Sequence, residues 1–122
     1  MNRLTLVLAA CLAALVAVAA ATGASSANRL VGSTGPDGAF TITLKQGMKK
    51  VTKLKHGKYT IVVKDTASTH NFHLTGPGLN KSTSVPFVGD KLWTITLKPG
   101  TYTYKCDPHA LAGMKGTFRV TV

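Results

Sequence analysis

Near its C-terminus the chain runs Tyr104-Lys105-Cys106-Asp107-Pro108-His109-Ala110-Leu111-Ala112-Gly113-Met114-Lys115-Gly116. A thiol, an imidazole and a thioether follow in that order, with two residues between Cys106 and His109 and four between His109 and Met114. A thiolate, two imidazoles and a weak axial thioether make the trigonal donor set of type 1 copper. The stretch holds three of these four groups, so one imidazole has to come from elsewhere.

His56, His70 and His73 are the candidates. His56 lies in Lys55-His56-Gly57-Lys58, a charged turn, where a solvated surface role is expected. The other two sit in Thr69-His70-Asn71-Phe72-His73-Leu74, which reads as a strand. Alternation puts His70 on the face of Phe72 and Leu74, and His73 on the face of Asn71 and Thr75. A ligand has to point inward, so His70 is the expected fourth donor. A bulge would shift the parity and favour His73.

The elements that must position these groups read as strands. Phe40, Ile42 and Leu44 alternate with polar residues, as do Tyr59, Ile61 and Val63, then Trp93, Ile95 and Leu97, then Phe118, Val120 and Val122. Gly47, His56-Gly57, Gly76-Pro77-Gly78, Gly89-Asp90 and Pro99-Gly100 punctuate them as turns. No window after residue 27 has sustained helical periodicity. The expected fold is all-β, an antiparallel sandwich of about seven or eight short strands. Val51 and Leu54, among the lysines of residues 49–58, read as a strand or loop on a basic edge. Those lysines either keep an exposed edge from pairing with other chains or dock a partner.

The N-terminus takes part of the 122 residues away. Arg3, the apolar run Leu4–Ala21 and the small residues 22–27 read as an export signal, residues 1–27, with cleavage after Ala21, Ala24 or Ala27. An uncleaved single anchor is the alternative, because the run approaches the roughly 20 residues of a spanning helix. Residues 28–38, with Gly35-Pro36-Asp37-Gly38, read as a linker, leaving 39–122 as the domain. Export places the protein in the periplasm, outside the cell or on the cell envelope. Cys106 is then its sole cysteine, which removes an internal disulfide, iron–sulfur clusters and four-thiolate zinc.

Four Asp, no Glu and 15 Lys plus Arg give a net charge of +11. Such a surface favours anionic partners and fast, salt-sensitive encounter. The export signal and the absence of a nucleic-acid motif point away from nucleic acid and towards acidic redox proteins, an anionic lipid surface or a cell-wall polymer. With no Glu and only four Asp, paired-carboxylate catalysis is unsupported, and a thiol nucleophile fits the loop less well than a ligand does. No enzyme is expected.

Cys106-Asp107-Pro108-His109 followed by Met114, with His70-Asn71 upstream and Pro99-Gly100-Thr101-Tyr102 leading into the cysteine strand, resembles the plastocyanin and pseudoazurin type of cupredoxin. The resemblance covers roughly residues 40–122. It implies a Greek-key sandwich with one copper ion held by His70, Cys106, His109 and a long bond to Met114. It also implies that Asn71 ties the first histidine's segment to the cysteine loop, and that Tyr102 is a tyrosine-corner brace. Pro108 constrains the loop and removes a donor near the thiolate, while Gly113 and Gly116 permit bends beside Met114. Ala110, Leu111 and Ala112 would form an apolar collar around His109, the electron's exit and a transient docking patch. The leading expectation is a monomeric one-electron carrier between redox proteins. Copper delivery or sequestration through the same ligands is the second, and a metal-free basic sandwich on an anionic surface the third.

Overall fold

The computed structural model describes residues 28–122, so the N-terminal segment read as an export signal or anchor lies outside the described residues. Ten strands form two five-stranded sheets. The first is ordered β3-β2-β1-β5-β8, from β1 Arg29–Thr34, β2 Ile42–Gln46, β3 Lys49–Lys50, β5 Gly57–Asp65 and β8 Gly89–Leu97. The second is ordered β4-β10-β9-β6-β7, from β4 Lys53–Lys55, β6 His73–Gly76, β7 Leu79–Ser82, β9 Gly100–Lys105 and β10 Lys115–Thr121. Between them lie Leu30, Leu44, Ile61, Val63, Phe72, Leu74, Trp93, Tyr102, Tyr104 and Phe118, all buried. The alternation of β5 and β8 places their aromatic and branched residues on the inner face.

The class is the expected sandwich, with two differences. The sheets are mixed, because β1 runs parallel to β5 and β4 parallel to β10. The strand count exceeds eight. One reason is that the lysine-rich segment makes two strands: β3 ends the first sheet, the chain crosses at Val51 and Thr52, and β4 joins the second. Val51 and Leu54 are buried at that crossing.

The other reason is β1, which occupies residues assigned to a linker. Its inner positions are Leu30, Gly32 and Thr34, too small and polar a set to read as a core strand, yet all are buried. Gly32 is there for close approach: a Cβ on it would stand 2.7 Å from the Phe72 ring. Phe40, expected inward on the next strand, precedes β2 and is 59% exposed. Val122 is also exposed.

Register gives the sandwich two distinct ends. Thr34, Asp65, Gly89 and Lys105 finish or begin their strands at one end, where the Cys106 loop lies. The β2–β3 turn, β4, the start of β5 and the β8–β9 turn lie at the other. Tyr102 braces that second end: its hydroxyl accepts the Lys98 amide and donates to the Lys98 carbonyl, both at 2.9 Å. This is the corner the resemblance implied, and its bonds are to the scaffold.

Candidate metal centre

β9 delivers Cys106 to the end of the sandwich in extended conformation. There Pro108 opens a 3-10 turn, Asp107–Ala112, which ends at Gly113 in the left-handed region (φ 97). The turn brings His109 back towards Cys106, since the His109 amide donates to the Cys106 carbonyl at 3.2 Å. Two further bonds close the loop on Met114: Cys106 N–H to the Met114 carbonyl at 3.0 Å, and Met114 N–H to the His109 carbonyl at 3.2 Å. Cys106 and Met114 are completely buried, and His109 is half-buried. Gly116 does not make a bend; it lies in β10 against the Tyr104 ring.

His70 enters from the opposite sheet connection. It precedes β6 instead of starting a strand, and its amide donates to the Ala67 carbonyl at 3.2 Å. His70, Asn71 and Phe72 are buried in succession, so alternation does not govern this segment. His70 comes inside, and Asn71, placed on the outer face by parity, comes inside as well. His56 is exposed at the far end. His73 is turned away from the donors: its Nδ1 is 2.8 Å from Asp107 Oδ1 and its Nε2 2.7 Å from Asn80 Oδ1.

Three donor atoms converge. His70 Nδ1 and His109 Nδ1 are 2.9 Å apart, and Cys106 Sγ is 3.6 Å from the first and 3.5 Å from the second. The triangle is small enough for one ion to touch all corners at ordinary distances of about 2.0–2.3 Å. Cys106, His70 and His109 are also the one group of this kind among the described residues. Soft sulfur with two imidazoles fits copper, and buried Met114 adds the thioether.

Around the triangle, the chain fixes what it presents. The Asn71 amide donates to Asp107 Oδ2 at 2.8 Å and to the Thr83 carbonyl at 3.2 Å, and Asn71 Oδ1 accepts the Asp107 backbone N–H at 2.7 Å. Burial raises the Asp107 carboxyl, but the bonds from His73 and Asn71 and the charges of His73 and Lys105 outweigh it and hold it below its usual range. Asp65, at the end of β5, moves the other way. Its burial pushes the carboxyl up, against hydrogen bonds from Thr83 and the Ala67 backbone and the attraction of His70. Asp65 Oδ1, Thr34 Oγ1 and His70 Nε2 are buried with no partner at hydrogen-bonding geometry.

Sequence reasoning missed the loop between β1 and β2. Gly35, in the left-handed region (φ 66), backs His70 so closely that a Cβ would stand 2.5 Å from its Cδ2. Phe40, on the same loop, sets its ring across both imidazoles, with centroids 4.6 Å from His109 and 5.2 Å from His70. The signal for Gly35 was its place in a Gly-Pro-Asp-Gly turn; for Phe40, nothing local distinguished a cap from a core residue. Ala110 is half-buried, while Leu111 and Ala112 are exposed beside His109.

A β-sandwich with a thiolate, two imidazoles and a thioether at one end defines a type 1 copper protein. The model of copper-binding proteins of the plastocyanin/azurin family matches residues 39–121, and the chain belongs to that family. The fold is similar to that of reduced rusticyanin, with 18% identity, 76% of this chain and 78% of that chain covered, and a TM-score of 0.59. It is also similar to reduced auracyanin from the photosynthetic bacterium Roseiflexus castenholzii, with 22% identity, 82% and 100% covered, and a TM-score of 0.52. β1 lies outside the matched family span.

Proposed function

We propose that this protein is an exported, non-enzymatic carrier of single electrons between redox proteins, in which His70, Cys106 and His109 would be the main ligands of a copper ion and Met114 a weak one. The observation that carries the reading is the closed triangle of His70 Nδ1, His109 Nδ1 and Cys106 Sγ, with edges of 2.9 to 3.6 Å. Copper, when held there, would supply a one-electron couple between its two oxidation states. The chain's part is to hold the donors still. Asn71 bonds the His70 segment to the Cys106 loop, Pro108 opens the turn, and the closing bonds fix Met114.

His109 is the half-exposed ligand, and Ala110, Leu111, Ala112 and Phe40 surround its open side with apolar surface. Such a collar supports brief contact with a partner. Lys91, Lys105 and Lys115 at this end suit an acidic docking surface, and the protein acts as a monomer.

One spectrum tests the assignment. The copper(II)-loaded protein is intensely blue from thiolate charge transfer. Cys106→Ala abolishes the colour and His73→Ala retains it; a colourless loaded protein, or colour lost equally in both variants, overturns the reading. Reversible voltammetry without copper loss supports transfer, whereas ready release of reduced copper to a chelator points to delivery.

A further inference from the structure

The acidic side chains of this domain are confined to one end. All four carboxylate side chains lie at the copper end: Asp37 follows β1, Asp65 ends β5, Asp90 begins β8 and Asp107 sits in the ligand loop. The opposite end holds Arg29, Lys49, Lys50, Lys53, Lys55 and Lys58, all exposed. None of these six is ion-paired among the described residues, where the pairs are Lys64–Asp90, His73–Asp107 and Lys105–Asp107. Cations even stand opposite each other across strands, Lys45 facing Lys50 and Arg119 facing Lys53. Like charges so placed cost stability unless an outside anion offsets them.

An apolar side chain stands at the tip of this basic end. Met48 follows Gly47 in the β2–β3 turn, is 94% exposed and is followed directly by Lys49 and Lys50. The chain's N-terminal segment also departs here. β1 begins at this end, and the Asn28 side chain donates to the Lys58 carbonyl at 2.9 Å. Residues 1–27, with the apolar run Leu4–Ala21, therefore join the domain among the lysines. A bilayer that holds that run has the lysine end as its neighbour.

We infer that this end is a docking face for an anionic phospholipid bilayer, with the lysines on the headgroups and Met48 dipping into the interface. A soluble acidic protein accounts for the charge but for neither the exposed thioether nor the departure of the apolar run. Because His109 lies at the other end, docking turns the ligand collar away from the membrane and leaves it open to redox partners. The lysines of the far end are thus an orienting device, separate from the copper-end surface that passes the electron.

The test uses the full-length copper-loaded protein and vesicles of phosphatidylcholine with or without phosphatidylglycerol. Phosphatidylglycerol is expected to strengthen binding over phosphatidylcholine alone, and salt removes that increment while leaving the attachment supplied by Leu4–Ala21. Lys49→Gln, Lys50→Gln, Lys55→Gln and Lys58→Gln together weaken it, by about fivefold per lysine. Lys91→Gln with Lys115→Gln leaves it unchanged. Met48→Trp gives emission that shifts to the blue and is quenched by brominated lipid, over the fixed background of buried Trp93. Equal binding to neutral vesicles that ignores the lysines assigns attachment to the apolar run alone and overturns the inference. So does equal weakening by the two lysine sets, or an introduced indole that brominated lipid does not quench. Loss of binding to an acidic protein in the four-lysine variant, with no vesicle binding by the parent, assigns the face to protein instead.

Discussion

Asn71 and Asp107 hold each other twice, through the Asn71 amide on the Asp107 carboxylate at 2.8 Å and the Asp107 backbone N–H on Asn71 Oδ1 at 2.7 Å. The segment carrying His70 and the loop carrying Cys106 and His109 thereby move as one body. Asn71→Ala leaves the Asp107 backbone donor without its partner, at a cost of roughly 1 to 3 kcal/mol. Copper affinity falls about 10- to 100-fold, as when outer hydrogen-bond partners of ligands are removed. Thermal melts with and without copper check this: the loss is larger in the loaded protein.

The ligand loop was legible because its chemistry is local: Cys106, His109 and Met114 are bound by their own turn, and spacing alone exposes them. His70 was chosen correctly as the inward imidazole, but by a strand alternation that the segment does not follow, since Asn71 beside it is buried too. What the sequence hid was non-local. β1 is a core strand whose inner positions include Thr34 and also Gly32, where the Phe72 ring fills the space a larger side chain would take. Phe40 shows the reverse: an apolar residue in apparent alternation that leaves the core to lie across the histidines. Only the crossing of β1 beside β5 and β2 decides either placement.

Gly32 and Gly35 separate packing from metal geometry. Gly32→Ala drives a methyl into the Phe72 ring and costs about 1 to 3 kcal/mol as overpacking. Its copper spectrum stays unchanged. Gly35→Ala strains the left-handed backbone and pushes the His70 ring, so its charge-transfer band shifts and copper dissociates faster. Melting curves and absorption spectra of the two variants distinguish these effects; a spectrum unaltered in Gly35→Ala refutes the contact with His70.

Phe40 caps the imidazoles edge-on, at interplanar angles of 76° to His109 and 77° to His70. Phe40→Ala removes these contacts, worth about 0.5 to 1.5 kcal/mol per aromatic pair, and admits water to the His109 edge. Water stabilises the more highly charged copper(II), so the midpoint potential falls. Phe40→Leu keeps the cover without the ring and holds the potential nearer the parent value. Voltammetry of the three proteins orders them parent, Leu, Ala from high to low.

Asp65 gives the fold a pH dependence of defined sign. Burial raises its folded-state carboxyl above the ordinary value of 3.8, so it contributes stability below that value and loses the contribution as pH rises through the raised one. At neutral pH the ionised group is a buried cost, only partly offset by the 2.7 Å bond from Thr83 Oγ1 and by His70. Asp65→Asn keeps an acceptor for Thr83, removes the charge and offers a donor near Thr34 Oγ1, whose residue is its register partner on β1. The metal-free variant therefore melts above the parent at pH 7. The difference shrinks as pH falls through the raised value and is gone below about 3.8. A variant that melts below the parent at pH 7, or that differs from it by a pH-independent margin, overturns the raised folded-state value of Asp65.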